Sequence, residues 1–144
     1  MRNLARGPLV ADAVVHTART LEDTTVEIAL GWDDGRDARV QSVVNGSTTL
    51  SGTHERGLRH GLLEVARALG CTASDAAARE LVEPGLIAVV HVGLLDPSFG
   101  SPTRDHLVSP IAAHVVRRAV VEALPEALRA RPALDAFLRA RLQT

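Results

Sequence analysis

GLIAVVHVGLL, residues 85–95, is the most apolar run of the 144-residue chain, and it decides the fold class. Its length and its content of β-branched residues favour a strand over a helix. A strand that is apolar at nearly every position is typical of one buried on both faces. We therefore predict a central, doubly covered strand at this point of the chain.

The residues before this run predict further strands. Strands are expected at 13–18, 26–32 and 39–44, because the first is short and β-branched and the second alternates apolar with polar positions. The links between them are short, and the Asp-Gly pair that follows the second strand is typical of a tight turn. The three segments therefore suggest an antiparallel meander.

Helical patterns follow these strands. Thr53 can cap a first helix, and Gly70 stands where a glycine commonly ends one. Ser74 is the expected cap of a shorter helix over 75–81. The period of the apolar residues thus changes from two to that of a helix in the middle of the chain.

Two more helices are expected behind the apolar run. Ser109 and Pro110 form the preferred N-cap and N1 pair of one helix, and Pro132 begins the last. The order β-β-β-α-(α)-β-α-α predicts a two-layer α+β domain with the helices on one face of the sheet. We divide the chain into an N-terminal extension at 1–12, a main domain at 13–130 and a C-terminal helix at 131–144.

Composition excludes several classes of protein. A net charge of −1 gives no general attraction to nucleic acid, and three aromatic residues, Trp32, Phe99 and Phe137, are too few for base stacking. The single cysteine, Cys71, excludes an internal disulfide and a multi-cysteine metal site. No apolar run approaches the roughly 20 residues of a membrane span, and no secretory signal is evident, so we expect a cytoplasmic protein that does not enter a membrane.

Four segments resemble a known family. VEIALGWDDG (26–35), VVNGSTTLSGTHERGLRHGL (43–62), GLIAVVHV (85–92) and DPSFGSPTRDHLVS (96–109) follow one another at the right distances. Together they resemble the transducer domain of the bacterial gyrase B protein and its type IIA topoisomerase relatives, over the main domain at 13–130. The resemblance implies the fold of the second domain of ribosomal protein S-five, whose β-β-β-α-β-α order agrees with the order predicted above.

The resemblance also implies what the chain lacks. In the family, the transducer lies between an ATP-binding domain and a metal-binding DNA-cleavage domain. The sequence shows no asparagine-bearing Mg²⁺ helix, no glycine-rich ATP lid and no acidic cluster for a catalytic metal. We therefore expect no catalytic residue, no metal site and no cofactor in this chain. ATP and Mg²⁺ would be met only through a partner ATP-binding domain.

The family's own chemical contribution is a Gln-Thr-Lys loop after the central strand, whose lysine reaches the γ-phosphate of ATP in the neighbouring domain. A cation placed there stabilises the charge that develops on a transferred phosphoryl group. In this sequence the three positions are Pro102, Thr103 and Arg104. Arg104 keeps the positive charge but differs from lysine in shape and hydration, and Pro102 lacks the amide side chain and the backbone donor. Two interpretations stay open, a phosphate-contacting Arg104 and a solvated loop arginine.

Two other groups of residues are candidate anion sites. Gly52, Thr53 and His54 match the family's Gly-Thr-His helix start, and a helix N-terminus can hold an anion. The alternative is a plain capped helix. Arg117 and Arg118 lie in the basic C-terminal third and are candidates for DNA phosphate contacts, or else they form an ordinary solvated helix face. We expect weak or no DNA binding by the chain alone.

The sequence leaves two classes of function open. The first is a standalone, diverged transducer domain without autonomous catalysis, related to the DNA supercoiling machinery. It would be a gene remnant, an excised fragment, or one piece of a split topoisomerase whose loop contacts ATP on another chain. The second is a non-enzymatic protein-binding module that associates with gyrase and modulates it. The expected partners are an ATP-binding-domain protein or gyrase subunits, and we expect a monomer.

Overall fold

The computed structural model describes residues 8–95, 97–100 and 106–143. A 3₁₀ turn at Val10–Asp12 precedes the first strand. The strands are β1 (Val15–Leu21), β2 (Thr24–Trp32), β3 (Arg39–Val44), β4 (Ser47–Thr49), β5 (Ser51–Gly52), β6 (Leu86–Gly93) and β7 (His106–Leu107). The helices are α1 (Thr53–Ala68), α2 (Asp75–Val82), α3 (Pro110–Ala130) and α4 (Pro132–Leu142).

The main sheet has the strand order β1-β2-β6-β3-β4. The apolar run forms β6, antiparallel to β2 on one side and parallel to β3 on the other, so its central position is confirmed. The first two strands pair antiparallel as expected, but the predicted meander is wrong at β3. The reason is that β6 takes the place beside β2, because the most apolar strand gains most from a position between two others.

Coverage of β6 also differs from the prediction. The face towards the helices is fully buried at alternate positions, namely Leu86, Ala88, Val90 and Val92. On the opposite face Ile87 is buried, whereas Val89 and His91 are only half-buried. The prediction of a doubly covered strand is therefore wrong for the second half of β6. The helices pack on one face of the sheet, which agrees with the predicted two-layer architecture.

The predicted caps of α1 and α2 are confirmed at two positions and wrong at one. Gly70, which follows the C-cap residue Leu69 of α1, adopts a φ of 101°, as expected of a glycine that ends a helix. Ser74 caps α2, because its hydroxyl accepts a 3.2 Å hydrogen bond from the Ala77 amide. Thr53, however, is the first residue of α1 and not its cap, which is Gly52. The Thr53 hydroxyl donates instead to the carbonyl oxygen of a residue far along the chain.

The starts of the last two helices are as predicted. Ser109 is the N-cap residue of α3 with Pro110 at N1, and α4 begins at Pro132. The Ser109 hydroxyl makes no capping bond to α3. α3 continues through Pro125 to Ala130. None of the helices in the described residues is long and apolar enough to cross a membrane.

Close packing of α1 on α3 places the two helix starts side by side. A Cβ atom added at Gly57 would lie 2.9 Å from the Cα and 3.0 Å from the carbonyl carbon of Ala113. One added at Gly61 would lie 2.8 Å from the Val120 Cβ. Glycine at these two positions lets the helix backbones approach each other closely. The starts of α1 and α3 therefore lie side by side at the candidate site.

Candidate functional site

The segment after β6 is held at both ends. The Gly100 amide donates a 2.9 Å hydrogen bond to the His106 carbonyl, and the Val108 amide donates a 2.8 Å bond to the Ser98 carbonyl. Phe99 and Leu107 form an antiparallel bridge between the same two ends. Residues 101–105 join these ends and lie outside the described residues, with Pro102, Thr103 and Arg104 among them. Phosphate contact by these three residues therefore stays a prediction.

The returning end of this segment docks at the start of α1. β7 pairs in parallel with β5, in the register Ser51 to His106 and Gly52 to Leu107. The Ser51 Oγ lies 2.6 Å from the His106 Nδ1. A Cβ atom at Gly52 would lie 2.7 Å from the Leu107 Cβ and 2.8 Å from its carbonyl oxygen, so only glycine fits this contact. The structure thus brings together two regions that the sequence treats separately, the loop and the Gly-Thr-His helix start.

Thr53 uses its side chain within the protein. Its Oγ1 donates a 2.6 Å hydrogen bond to the Ser109 carbonyl, across 56 residues of sequence. The Ser109 Oγ in turn accepts a 2.8 Å bond from the Ser98 amide. Because the Thr53 hydroxyl is already engaged, an anion at this helix start would have to be held by backbone amides. The anion role of Gly52, Thr53 and His54 stays a prediction.

His54 is completely buried next to this contact. Its Nε2 lies 3.4 Å from the Thr49 Oγ1, and its Nδ1 has no hydrogen-bond partner among the described residues. Burial lowers the pKa of His54 below its ordinary value, an effect that the nearby Glu55 carboxylate partly opposes. A histidine with a lowered pKa is neutral at neutral pH, so His54 supplies no positive charge for an anion.

An open groove of about 580 Å³ lies beside the start of α1. Its walls include β5 and β7 residues together with Arg56, Arg59 and Arg79. Arg59 is paired with Glu55, at 3.1 Å, and with Glu83. The charges of this groove are therefore mixed. Sequence patterns give no sign of the groove, because its residues come from elements that are far apart in the chain.

Arg117 and Arg118, the candidate DNA contacts, lie on α3 and both form ion pairs, the first with a residue of α1 and the second within α3. Arg117 pairs with Glu64 at 2.5 Å, and Arg118 pairs with Glu122 at 3.0 Å. Both side chains remain partly exposed, so a phosphate would have to compete with a carboxylate for each arginine. Their contact with DNA stays a prediction.

One buried ion pair lies far from the loop, at the opposite end of the sheet. Asp33 is fully buried, accepts a 2.8 Å bond from the Gly35 amide and pairs with Arg39. The Asp-x-Gly spacing is a recognisable turn signal, since aspartate side chains commonly bond an amide two residues on. The partner Arg39 has no comparable local signal. This pair stabilises the link between β2 and β3 and does not contact the candidate site.

Comparison with known proteins identifies the family. The family model described as DNA gyrase B matches residues 2–139. The chain belongs to the DNA gyrase B family. The gyrase B protein of Campylobacter jejuni is 34% identical over 120 residues, which cover 77% of this chain and 15% of that protein. That of Helicobacter pylori is 30% identical over 114 residues, 76% of this chain and 15% of that protein. This gyrase B-family chain thus spans about 15% of the length of these curated relatives.

Solved structures confirm the fold class. The crystal structure of gyrase B from Myxococcus xanthus superposes with a TM-score of 0.78 and 27% identity, covering 93% of this chain and 44% of that one. The 43K ATPase domain of Thermus thermophilus gyrase B, solved in complex with an aminocoumarin, gives a TM-score of 0.85 at 22% identity. It covers 99% of this chain and 40% of that one, and it supports the fold alone. The predicted resemblance to the gyrase B family is therefore confirmed.

Proposed function

We propose that this gyrase B-family domain acts as a transducer, which senses ATP on a partner ATP-binding domain through residues 101–105 and has no catalysis of its own. The observation that carries the proposal is the double anchoring of that loop. Its two ends are bonded to each other through Gly100 and Val108, and its returning end is paired to β5 at the start of α1. A loop held at both ends can present Arg104 to a phosphate in a defined position.

The chemistry of Arg104 suits this role. A guanidinium stays charged at every physiological pH and offers a planar fork of donors to phosphate oxygens. Such a group stabilises the negative charge that develops as the γ-phosphoryl is transferred. ATP and its Mg²⁺ would both be supplied by the partner domain. The substitution of arginine for the family's lysine preserves the charge and changes the geometry of the contact.

Three large apolar side chains among the described residues are exposed. Leu50, Leu95 and Val108 are exposed at 72%, 92% and 45%, and all three lie close in sequence to the ends of the strands that flank the loop. Exposed large apolar side chains are candidates for a contact with another protein. This observation supports a partner protein at the loop end, and it also favours the second candidate function, a binding module that modulates gyrase without a contribution to ATP turnover.

Family membership supports the wider role. The relatives are subunits of DNA gyrase, so we propose that gyrase subunits are partners of this chain and that its action serves DNA supercoiling. DNA contact through Arg117 and Arg118 would be secondary, because both are already paired with glutamates. In this proposal the starts of α1 and α3 receive the signal from the loop, since both helices begin beside it.

The test is a reconstituted ATPase assay. The chain is added to an isolated ATP-binding domain of a gyrase B relative, and binding and ATP turnover are measured for the wild type, Arg104→Ala and Arg36→Ala. Arg36 is exposed and lies between β2 and β3, at the opposite end of the sheet, so it is the matched control. We expect the wild type and Arg36→Ala to stimulate ATP turnover equally. The stimulation by Arg104→Ala should be about tenfold or more weaker than that by the wild type.

Each other outcome of this assay has a defined meaning. Equal stimulation by the wild type and Arg104→Ala would remove Arg104 from the sensing role. Binding without any change of turnover would favour the modulating module over the transducer. A complete absence of binding to the ATP-binding domain would contradict the proposal.

A further inference from the structure

Ser109 joins three elements at the candidate site. Its Oγ accepts a 2.8 Å hydrogen bond from the Ser98 amide, at the start of the anchored segment. Its carbonyl oxygen accepts a 2.6 Å bond from the Thr53 hydroxyl, at the first turn of α1. Ser109 is itself the N-cap residue of α3. These three residues, Ser98, Thr53 and Ser109, are called the serine clasp below.

The Ser109 hydroxyl departs from the usual behaviour of an N-cap serine. Such a hydroxyl normally accepts an amide hydrogen from the first turn of its own helix. In α3 the side chain makes no such bond, and only the Ser109 carbonyl closes the first turn, at 3.2 Å from the Ala112 amide. Pro110 at N1 has no amide hydrogen, which reduces the donors left without a partner. The hydroxyl is therefore used for the loop and not for the helix.

Two of the three residues of the clasp are buried. Ser109 and Thr53 are exposed by only 6% and 8%. The Thr53 hydroxyl is a buried donor and cannot turn to water when it loses its acceptor, so its bond is costly to break. Ser98 is exposed, so on that side of the clasp it is the Ser109 oxygen that is buried. Both bonds connect residues that are distant in sequence, 11 residues apart for Ser98 and 56 for Thr53. Their combined effect is to hold the first part of the loop at one position relative to α1 and α3.

We propose that Ser109 is a positioning residue, which holds the start of the loop at Ser98 against the first turns of α1 and α3 and so couples a displacement of the loop to α1. This inference rests on the proposed function of the loop and adds a residue to it. Ser109 does not touch the nucleotide. It acts through the Ser98 amide on one side and through Thr53 on the other.

The first test measures the clasp without any partner. Ser109→Ala removes the hydroxyl but keeps the carbonyl, and hence keeps the bonds to Thr53 and Ala112. We expect amide hydrogen exchange at Ser98 to become about fivefold faster, because that is the effect of losing one ordinary hydrogen bond. Ser109→Thr restores a hydroxyl and should return exchange towards the wild-type rate. Ser74→Ala, which removes the cap of α2, is the matched control and should leave exchange at Ser98 unchanged.

The second test links the clasp to Arg104. In the reconstituted ATPase assay, Ser109→Ala and Thr53→Val should each lower the stimulation, and Ser109→Thr should recover it. In an Arg104→Ala background, Ser109→Ala should cause no further loss, because both changes remove the same contact. A purely structural role would predict additive losses instead. Thr53→Val has nearly the shape of threonine, so it removes the hydroxyl while it preserves the packing.

The two tests separate failure of this inference from failure of the proposed function. Unchanged exchange at Ser98 in Ser109→Ala would overturn the clasp, whatever the ATPase assay shows. Faster exchange with unchanged stimulation, or additive losses with Arg104→Ala, would overturn the positioning role. If the wild-type chain itself gives no stimulation, the proposed function fails, while exchange at Ser98 still decides whether the clasp holds the loop.

Discussion

Replacing Gly57 with alanine adds a methyl group inside the contact between α1 and α3. The new Cβ atom would lie 2.9 Å from the Cα and 3.0 Å from the carbonyl carbon of Ala113, and nearer still to its carbonyl oxygen. Ordinary van der Waals contacts of a Cβ atom begin at 3.4 Å. The neighbouring atoms belong to a helix backbone, so the two helices must separate by about 0.5–1 Å to relieve the overlap.

Two opposing effects set the size of the change. Alanine is a better helix former than glycine by about 1 kcal/mol. Overpacking of a close contact costs about 1–3 kcal/mol, and the upper part of that range applies because backbone atoms cannot rotate away. We therefore expect Gly57→Ala to lower the free energy of unfolding by about 1–2 kcal/mol, and the melting temperature by about 3–8 °C.

Urea denaturation followed by fluorescence measures this change directly. The single tryptophan, Trp32, is fully buried and donates a 2.8 Å hydrogen bond to the Val82 carbonyl, so its emission reports unfolding of the core. Gly61→Ala is the matched comparison, because its new Cβ would meet mainly the Val120 side chain, at 2.8 and 3.0 Å. We expect a smaller loss there. If Gly57→Ala were as stable as the wild type, or more stable, the expected overlap with Ala113 would be refuted. The higher helix propensity of alanine would then be the dominant effect.

Two further predictions concern buried titratable groups. The pKa of His54 is lowered in the folded protein, so neutral His54 contributes fully to stability above the unfolded pKa of 6.5. This contribution is lost as the pH falls below 6.5, by at most about 1.4 kcal/mol per pH unit. Urea titrations between pH 7.5 and 5.5 should therefore show that the free energy of unfolding falls less steeply with pH for His54→Gln than for the wild type or the exposed control His16→Gln. Equal falls in the three proteins would contradict a lowered pKa at His54. Asp33→Asn removes the negative charge opposite the largely buried Arg39 and should lower the free energy of unfolding by about 2–4 kcal/mol in the same assay. The control is Asp34→Asn, at an exposed position. A loss no larger than that of the control would contradict a stabilising role of the buried ion pair.

Local features of the chain predict most of its elements. The alternation of β2, the glycine after α1, the serine cap of α2 and the prolines at the starts of α3 and α4 all depend on a few neighbouring residues. Backbone preferences act over that range, and so does the polar or apolar character of one face of an element. The correct prediction of these elements also supports the resemblance to the gyrase B family, which the family match confirms.

The candidate site can be predicted only in pieces. The sequence marks the loop containing Arg104 and the Gly-Thr-His helix start as separate features, and it assigns Thr53 the ordinary role of a cap. The structure shows Thr53 bonded to Ser109 instead, with β7 docked against Gly52. Ser98 and Ser109 carry no sequence signal for the clasp, because serines are common in loops and at helix starts for other reasons.

The sequence by itself determined the family and the order of the longer strands and helices, but it did not predict the short strands β4, β5 and β7. Tertiary structure decided that β6 lies between β2 and β3, that half of its outer face is only partly covered, and that His54 is buried and neutral. It also decided that the loop is clasped to α1 through Ser109. These features depend on hydrogen bonds and packing between residues tens of positions apart, such as the 56 that separate Thr53 from Ser109. Contacts of that kind leave no periodicity or spacing that can be read along the chain.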